Sequence, residues 1–409
     1  MSIAVKAVAE PTVATPDVRA YRVTSIDMLR GLVIVIMALD HVRDFFMVGG
    51  AADPMENPDA SPALFATRWI THFCAPVFVL LAGTSAGLMA ARRSPSALAL
   101  FLLKRGLWLI FIEWFVISTA WTFSPRGIEQ LHGLILVILQ VIWAIGASMI
   151  VLSAAQYLGR PACLVIGAIV VLGHNLLDPI WPVRHSFNEM KPLWVALHSP
   201  ISQDLGPFRL YFAYPLLPWA GVMLLGYGVA GVFELPPKRR DAVLLRSGII
   251  LTLAFLAVRA LDVYGDPHGW QVQSQGAAAT IMSFLNTTKY PPSLQYLLMT
   301  LGPAAMLCSF ADRMRGAIKD ALVMFGRVPF AFYVAHLYLI HGLTVLLGVV
   351  QGFAASQFLT IFIFYPKEYG VSLAGVYLVW AMVVLMLYPF CRWVAAVKGR
   401  RKDWWLSYL

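Results

Sequence analysis

Charge is scarce in this sequence. Asp, Glu, Lys and Arg supply 13% of the 409 residues, about half the share found in soluble globular domains. That excludes most soluble enzymes and binding modules. Cysteine is nearly missing too: Cys74, Cys163, Cys308 and Cys391 lie within or beside apolar runs with no CxxC spacing. They read as buried small hydrophobes, implying neither a disulfide framework nor a metal site. HExxH, Gly-rich Rossmann and P-loop patterns, a GxSxG elbow and the kinase signatures are all absent. Cofactors held by standard soluble motifs are thereby disfavoured, and no metal ligand set is specified. The first 20 residues lack the basic, apolar and small-residue order of a signal peptide and are expected to form a flexible tail.

What the sequence has in abundance is apolar residues, 59% of the chain, with a mean hydropathy of +0.73. Long apolar runs recur from residue 29 to residue 395 with no polar linker long enough to separate domains. The expected fold is all-α, a polytopic integral membrane helical bundle of about ten spans. They centre near 29–48, 69–91, 100–121, 132–155, 159–177, 212–232, 244–261, 293–311, 326–350 and 371–395. A single membrane domain over 21–396 and a basic tail over 397–409 follow. The net charge of +10 would suggest nucleic acid in a soluble protein, but the basic residues fall in short loops. Assigning alternate connections to one side collects 20 Lys and Arg there against 8 on the other. That bias places both termini in the cytoplasm, with membrane lipids rather than nucleic acid as partners. The far-side connections 44–68, 178–211 and 262–292 are longer, and the second, with His185, Trp194 and His198, reads as a cover for a cavity.

The polar residues inside the runs carry the functional signal. Asp27 and Arg30 are i,i+3 at the start of the first span, either an interfacial ion pair or an anion-binding pair facing a cytoplasmic cavity. Asp40, His41, Arg43 and Asp44 close the same helix. Arg30 and His41, eleven residues apart, face nearly the same way about 16 Å apart in depth. His41 is either an interfacial histidine or a general base. His72 shares a helical face with Arg68, near Pro76, while Gly83, Ser85 and Gly87 read as close helix packing. Glu113, Gln140 and Arg259 lie within spans, and a glutamate there must be paired or protonated. His174, Asn175 and Asp178 form another polar group. His336 and His341, offset by 140°, cannot both point into one small site, and His336 is the cavity candidate.

The segment Tyr21-Arg22-Val23-Thr24-Ser25-Ile26-Asp27-Met28-Leu29-Arg30-Gly31 and the apolar run after it resemble the heparan-alpha-glucosaminide N-acetyltransferase catalytic family. Phe325-Gly326-Arg327-Val328-Pro329 with Tyr333 and His336, and Tyr214-Pro215-Leu216-Leu217-Pro218-Trp219, look like its bacterial branch. Within the wider transmembrane acyltransferase group, the acyltransferase-3 proteins have an arginine and a histidine separated by ten residues in the first span, as Arg30 and His41 are. The resemblance implies a bacterial inner-membrane acyltransferase. Acetyl-CoA would be the cytoplasmic donor, and a hydroxyl or amine of an extracytoplasmic glycan or lipid-linked sugar the acceptor. His41 or His72 would be catalytic, Asp40 would orient the imidazole, and Arg30 with Asp27 and His336 would handle the donor. The lysosomal glucosaminide enzymes resemble a second scheme, with the histidine between the first two spans, where His72 is the nearest candidate. A homodimer is also implied. The alternative is a transporter of an anionic solute using Arg30, Glu113, Arg259 and His336 without covalent chemistry.

Overall fold

The computed structural model describes residues 24–50, 52–57, 59–180, 192–401 and 403. The expected tail at 1–20, Tyr21 to Val23, His185 and most of the C-terminal tail lie outside the described residues. In chain order the helices begin with α1 (Thr24–Phe46), α2 (Pro62–Thr71), α3 (Cys74–Ala90), α4 (Pro95–Ile112) and α5 (Ser118–Thr122). Strand β1 (Ile135–Ile138) precedes α6 (Val141–Ala155), α7 (Gly159–Gly173) and α8 (Pro192–His198). Strands β2 (Ser202–Leu205) and β3 (Phe208–Tyr211) lead into α9 (Leu216–Gly228), α10 (Pro237–Leu261) and α11 (Ala277–Leu285). The chain closes with α12 (Leu294–Phe310), α13 (Ala317–Arg327), α14 (Pro329–Val350) and α15 (Leu373–Arg400).

Local chemistry sets several of these starts. Ser61 and Ser94 accept hydrogen bonds from the Leu64 and Ala97 amides, each followed by a proline at the first helical position. Ser293 and Ser372 cap α12 and α15 in the same way. In α1 the carboxylate of Asp27 occupies the first turn and Arg43 the last, both favourable to the helix dipole.

Among the described residues, seven helical stretches are long and apolar enough to cross a membrane. Of the helices at the expected positions, α1 and α4 are not among the seven, and α6 and α7 form one stretch together. Exposed Leu378, Leu385 and Trp393 on α15, and Ile250 and Leu253 on α10, suit contact with lipid tails. The protein is a polytopic helical membrane protein.

Two details correct the sequence reading. The expectation of an all-α fold omits a three-stranded sheet in the order β1-β3-β2, with β1 parallel and β2 antiparallel to β3. The apolar run 132–155 is accordingly not one helix: residues 135–138 form β1, and Gln140 stands at the position just before α6 instead of within a helix. Hydropathy counts Ile135, Val137 and Ile138 as membrane residues, but His132 and Gly133 adopt positive φ just before them and break any continuous helix. The sheet packs with α8 around Val137, Leu139, Val195, Ile201, Leu210 and Phe212, a small core separate from that of the bundle.

The first helix is central, touching α2, α3, α12, α13, α14 and α15. Its tightest neighbour is α13. A Cβ on Gly31 would collide with the Leu322 carbonyl, and one on Gly326 with the Asp27 carbonyl. Gly31→Ala is therefore expected to lower stability by at least the ~1–3 kcal/mol of an overpacked core. Gly342→Ala, within α14 and with nothing within 4 Å of the added carbon, is expected not to lower it. Detergent-phase thermal unfolding of the two variants checks the contrast.

Candidate functional site

The C-terminal end of α1 is held by a buried ion network. Arg68 Nη1 on α2 lies 2.5 Å from Asp40 Oδ2, and Arg43 Nη2 lies 3.1 Å from Asp40 Oδ1 and 2.6 Å from Asp44 Oδ1. Arg68 also grips Asp53 through Nη2 at 3.1 Å and Nε at 3.3 Å. Burial raises the Asp53 pKa, but the Arg68 charge and hydrogen bonds lower it by more, so the carboxyl is held well below the usual carboxylate range. A depressed carboxyl contributes stability above its unfolded pKa and loses it only as pH falls through the folded value. The Asp53–Arg68 contact is thus expected to persist from pH 8 down to about 5, above the ordinary aspartate value near ~3.9. The Met55 amide, which donates to Asp53 Oδ1 at 3.0 Å, is the reporter. Its hydrogen-exchange protection should not change with pH over that range and should fall in Asp53→Asn.

One residue further on, His41 turns away from this network. Adjacent helical residues diverge by 100°, so Asp40 faces α2 while His41 faces α14. His41 Nδ1 lies 2.7 Å from Nε2 of His336, with the rings stacked at 4.9 Å and 12°. His336 Nδ1 is 3.0 Å from the Phe332 carbonyl, an acceptor only. That contact assigns the proton to His336 Nδ1, which leaves its Nε2 as a lone pair accepting the His41 Nδ1–H. His41 Nε2 is then the basic nitrogen. The carboxylate of Asp40, the expected partner of this imidazole, is bonded to Arg43 and Arg68, and the side-chain contact of His41 Nδ1 is with His336.

Two cavities approach the dyad from opposite ends of α1. The first, about 470 Å³, is lined by His41, Asp40, Arg68, Trp121, Gln140, Lys289 and Tyr290, and walled by Ser202, Arg209 and Tyr211 from β2 and β3. The connection 178–211 thus contributes to a wall of this cavity. Arg209 is paired with Asp204, whereas the buried Lys289 has no ion pair among the described residues and lies with Nζ 5.1 Å from the Tyr290 ring centroid. The second cavity, about 340 Å³, is lined by Arg30, Arg105, Arg327 and Lys398 with Ser85, Phe78, Phe101 and Tyr333, and among the described residues no carboxylate lines it. Met37 and Val141 line both cavities. Arg30 is fixed by Asp27 at 3.7 Å, by the Leu81 carbonyl at 3.0 Å and by the Ser85 hydroxyl. Ser85 therefore does more than pack.

The remaining candidates are elsewhere. His72 donates from Nδ1 to the Arg68 carbonyl at 3.0 Å, packs edge-on against Tyr296 at 5.4 Å, and lines neither cavity. Glu113 accepts the Trp143 amide at 2.8 Å and the Gln140 amide at 3.4 Å, capping the start of α6. Arg259 is saturated by the carbonyls of His268, Ser283, Phe284 and Asn286 and by Gln295 Oε1. His341 faces the Ala120 and Phe358 carbonyls at 2.7 and 2.8 Å, away from His336. His174 pairs with His198 at 3.4 Å. Among the described residues no group of three or more His, Cys, Asp or Glu converges as a metal site.

Sequence reasoning missed Trp121, Lys289 and three cations of the second cavity. In the sequence Arg105 and Lys398 count only as charges that orient the chain, Arg327 also belongs to the Phe325–Pro329 segment of the resemblance, and nothing in their spacing marks the three as neighbours of Arg30. No curated protein matches the chain. The model for the family described as heparan-alpha-glucosaminide N-acetyltransferase, catalytic, matches residues 22–265, more than half of the chain, which belongs to that family.

Proposed function

We propose that the protein transfers an acyl group, acetyl in the first instance, from acyl-CoA on the cytoplasmic side to a hydroxyl or amine of an extracytoplasmic glycan or lipid-linked sugar. The observation that carries this reading is a pair of cavities that share the lining residues Met37 and Val141. One is lined by the four cations Arg30, Arg105, Arg327 and Lys398, and the other by His41. Four cations suit the phosphates of a CoA donor, with Arg30 pre-set by Asp27 and Ser85. Its apolar wall of Ile34, Phe78, Phe101 and Ile142 suits the thioester arm. His41 Nε2 deprotonates the acceptor and His336 holds the tautomer, so that the role of His336 is positioning rather than donor contact.

This reading includes ten spans, both termini in the cytoplasm, a bacterial inner-membrane location and a homodimer. The transporter alternative loses support from the same contacts. Arg259 and Glu113 are tied to backbone groups and line neither cavity, so they offer a solute no pathway. The test is calorimetric binding of acetyl-CoA to the purified protein, followed by thiol release with amino sugars as acceptors. Saturable binding that weakens at least 10-fold in Arg105→Gln/Arg327→Gln is expected. Solute counterflow in vesicles with no thioester consumed would replace this reading with transport.

A further inference from the structure

Two hydrogen-bond donors beside His41 are buried and have no acceptor among the described residues: the Tyr333 hydroxyl and Trp121 Nε1. Comparable aromatic donors in the bundle are satisfied. Tyr296 Oη donates to the His72 carbonyl at 2.7 Å, Tyr338 Oη to the Val116 carbonyl at 2.9 Å, and Trp380 Nε1 to the Val35 carbonyl at 2.8 Å. Trp219 Nε1 is also unpaired, but its ring stacks on Tyr214 and is not among the rings around His41. An unpaired buried donor is costly, and its presence calls for a reason.

The position of the two donors supplies one. The Trp121 ring meets His41 edge-on at 5.0 Å and the Tyr333 ring does so at 6.2 Å, with interplanar angles of 76° and 75°. Trp121 lines the His41 cavity and Tyr333 the cation-lined one. Both rings therefore border the imidazole, and each also lines one of the two cavities. Resting on the acyl-transfer reading, we propose that Tyr333 Oη and Trp121 Nε1 are the pair of donors that hold the oxyanion of the reaction.

In the step they serve, the acceptor nitrogen or oxygen forms a bond to the thioester carbonyl carbon while His41 Nε2 takes the acceptor's proton. The carbonyl π electrons move onto oxygen, which accepts the O–H and N–H hydrogen bonds. Collapse re-forms the carbonyl and breaks the C–S bond, and the leaving thiolate takes the proton back from His41. Both donors keep their protons throughout. Donors fixed where charge develops accelerate such a step, and removal of one typically costs about 10²–10³ in kcat.

The decisive variant is Tyr333→Phe, which removes one oxygen and no packing, with Trp121→Phe as the second. Acetyl-CoA labelled with ¹³C at the carbonyl is bound to the full-length protein and read by difference infrared spectroscopy. The wild-type band is expected below that of free donor, and each variant is expected to move it back toward the free position with donor affinity within about twofold. Rates of thiol release should fall within the range above. The melting temperature of Tyr333→Phe should not fall, because the hydroxyl has no partner to lose; a merely structural tyrosine would give the opposite pattern. An unchanged carbonyl band and rate in Tyr333→Phe overturns the oxyanion assignment alone. Failure of wild-type protein to bind acetyl-CoA overturns the acyl-transfer reading and this assignment with it.

Discussion

Replacing His41 with Gln is expected to lower thiol release from acetyl-CoA by about 10²–10⁴-fold, the range a positioned general base supplies. The glutamine amide can still donate toward His336 but has no basic nitrogen, so folding and catalysis separate. His336→Ala and His336→Gln then test the tautomer argument. His336 contributes a lone pair at Nε2, 2.7 Å from His41 Nδ1. Alanine leaves the His41 N–H without an acceptor, whereas the carbonyl of a glutamine can take it. His336→Ala is therefore expected to approach the His41→Gln rate, and His336→Gln to recover a substantial part of the wild-type rate. Single-turnover measurements at saturating donor distinguish this from weaker binding. Equal losses in the two His336 variants would remove the positioning role.

How much of this could be read from the sequence depends on separation along the chain. Asp27 and Arg30 are one turn apart, and their pairing at 3.7 Å follows from helical spacing alone. Glu113 follows from cost, since a carboxylate at that depth must find donors, and it finds the first amides of α6. The His41–His336 contact joins residues 295 positions apart, and no periodicity reports it. Depth alone singles out His336 in the sequence, and its contact with His41 is visible only in the fold. β1 is hidden for another reason: a short apolar strand and a buried helix have the same hydropathy, and the pairing with β3, 73 residues further on, separates them. The amphipathic α13 was hidden in the connection before α14, although Gly326 within it is what allows α1 to approach so closely.

Asp40 is the residue whose sequence and structural readings diverge most, and its substitution is expected to act on stability. Its carboxylate is shared between Arg68 and Arg43 in a buried setting. Asp40→Ala would leave the Arg68 guanidinium with Asp53 alone, whose side chain is 33% exposed and therefore partly in water. Breaking a buried pair from one side costs about 3–5 kcal/mol, because a desolvated charge loses its partner. Replacing both Asp40 and Arg68 with apolar residues of similar size, as in Asp40→Leu/Arg68→Met, removes both desolvation penalties. It is expected to recover most of that loss, since Arg43 keeps Asp44 at 2.6 Å and Asp53 can turn to water. Thermal unfolding in detergent of the single and double variants gives the coupling directly. Activity normalised to folded protein gives the second answer. If Asp40 acts only through the ion network, the double variant turns over at a rate close to wild type, because His41 is oriented by His336. A double variant that is stable yet as slow as His41→Gln would return Asp40 to the imidazole and take the orienting role away from His336.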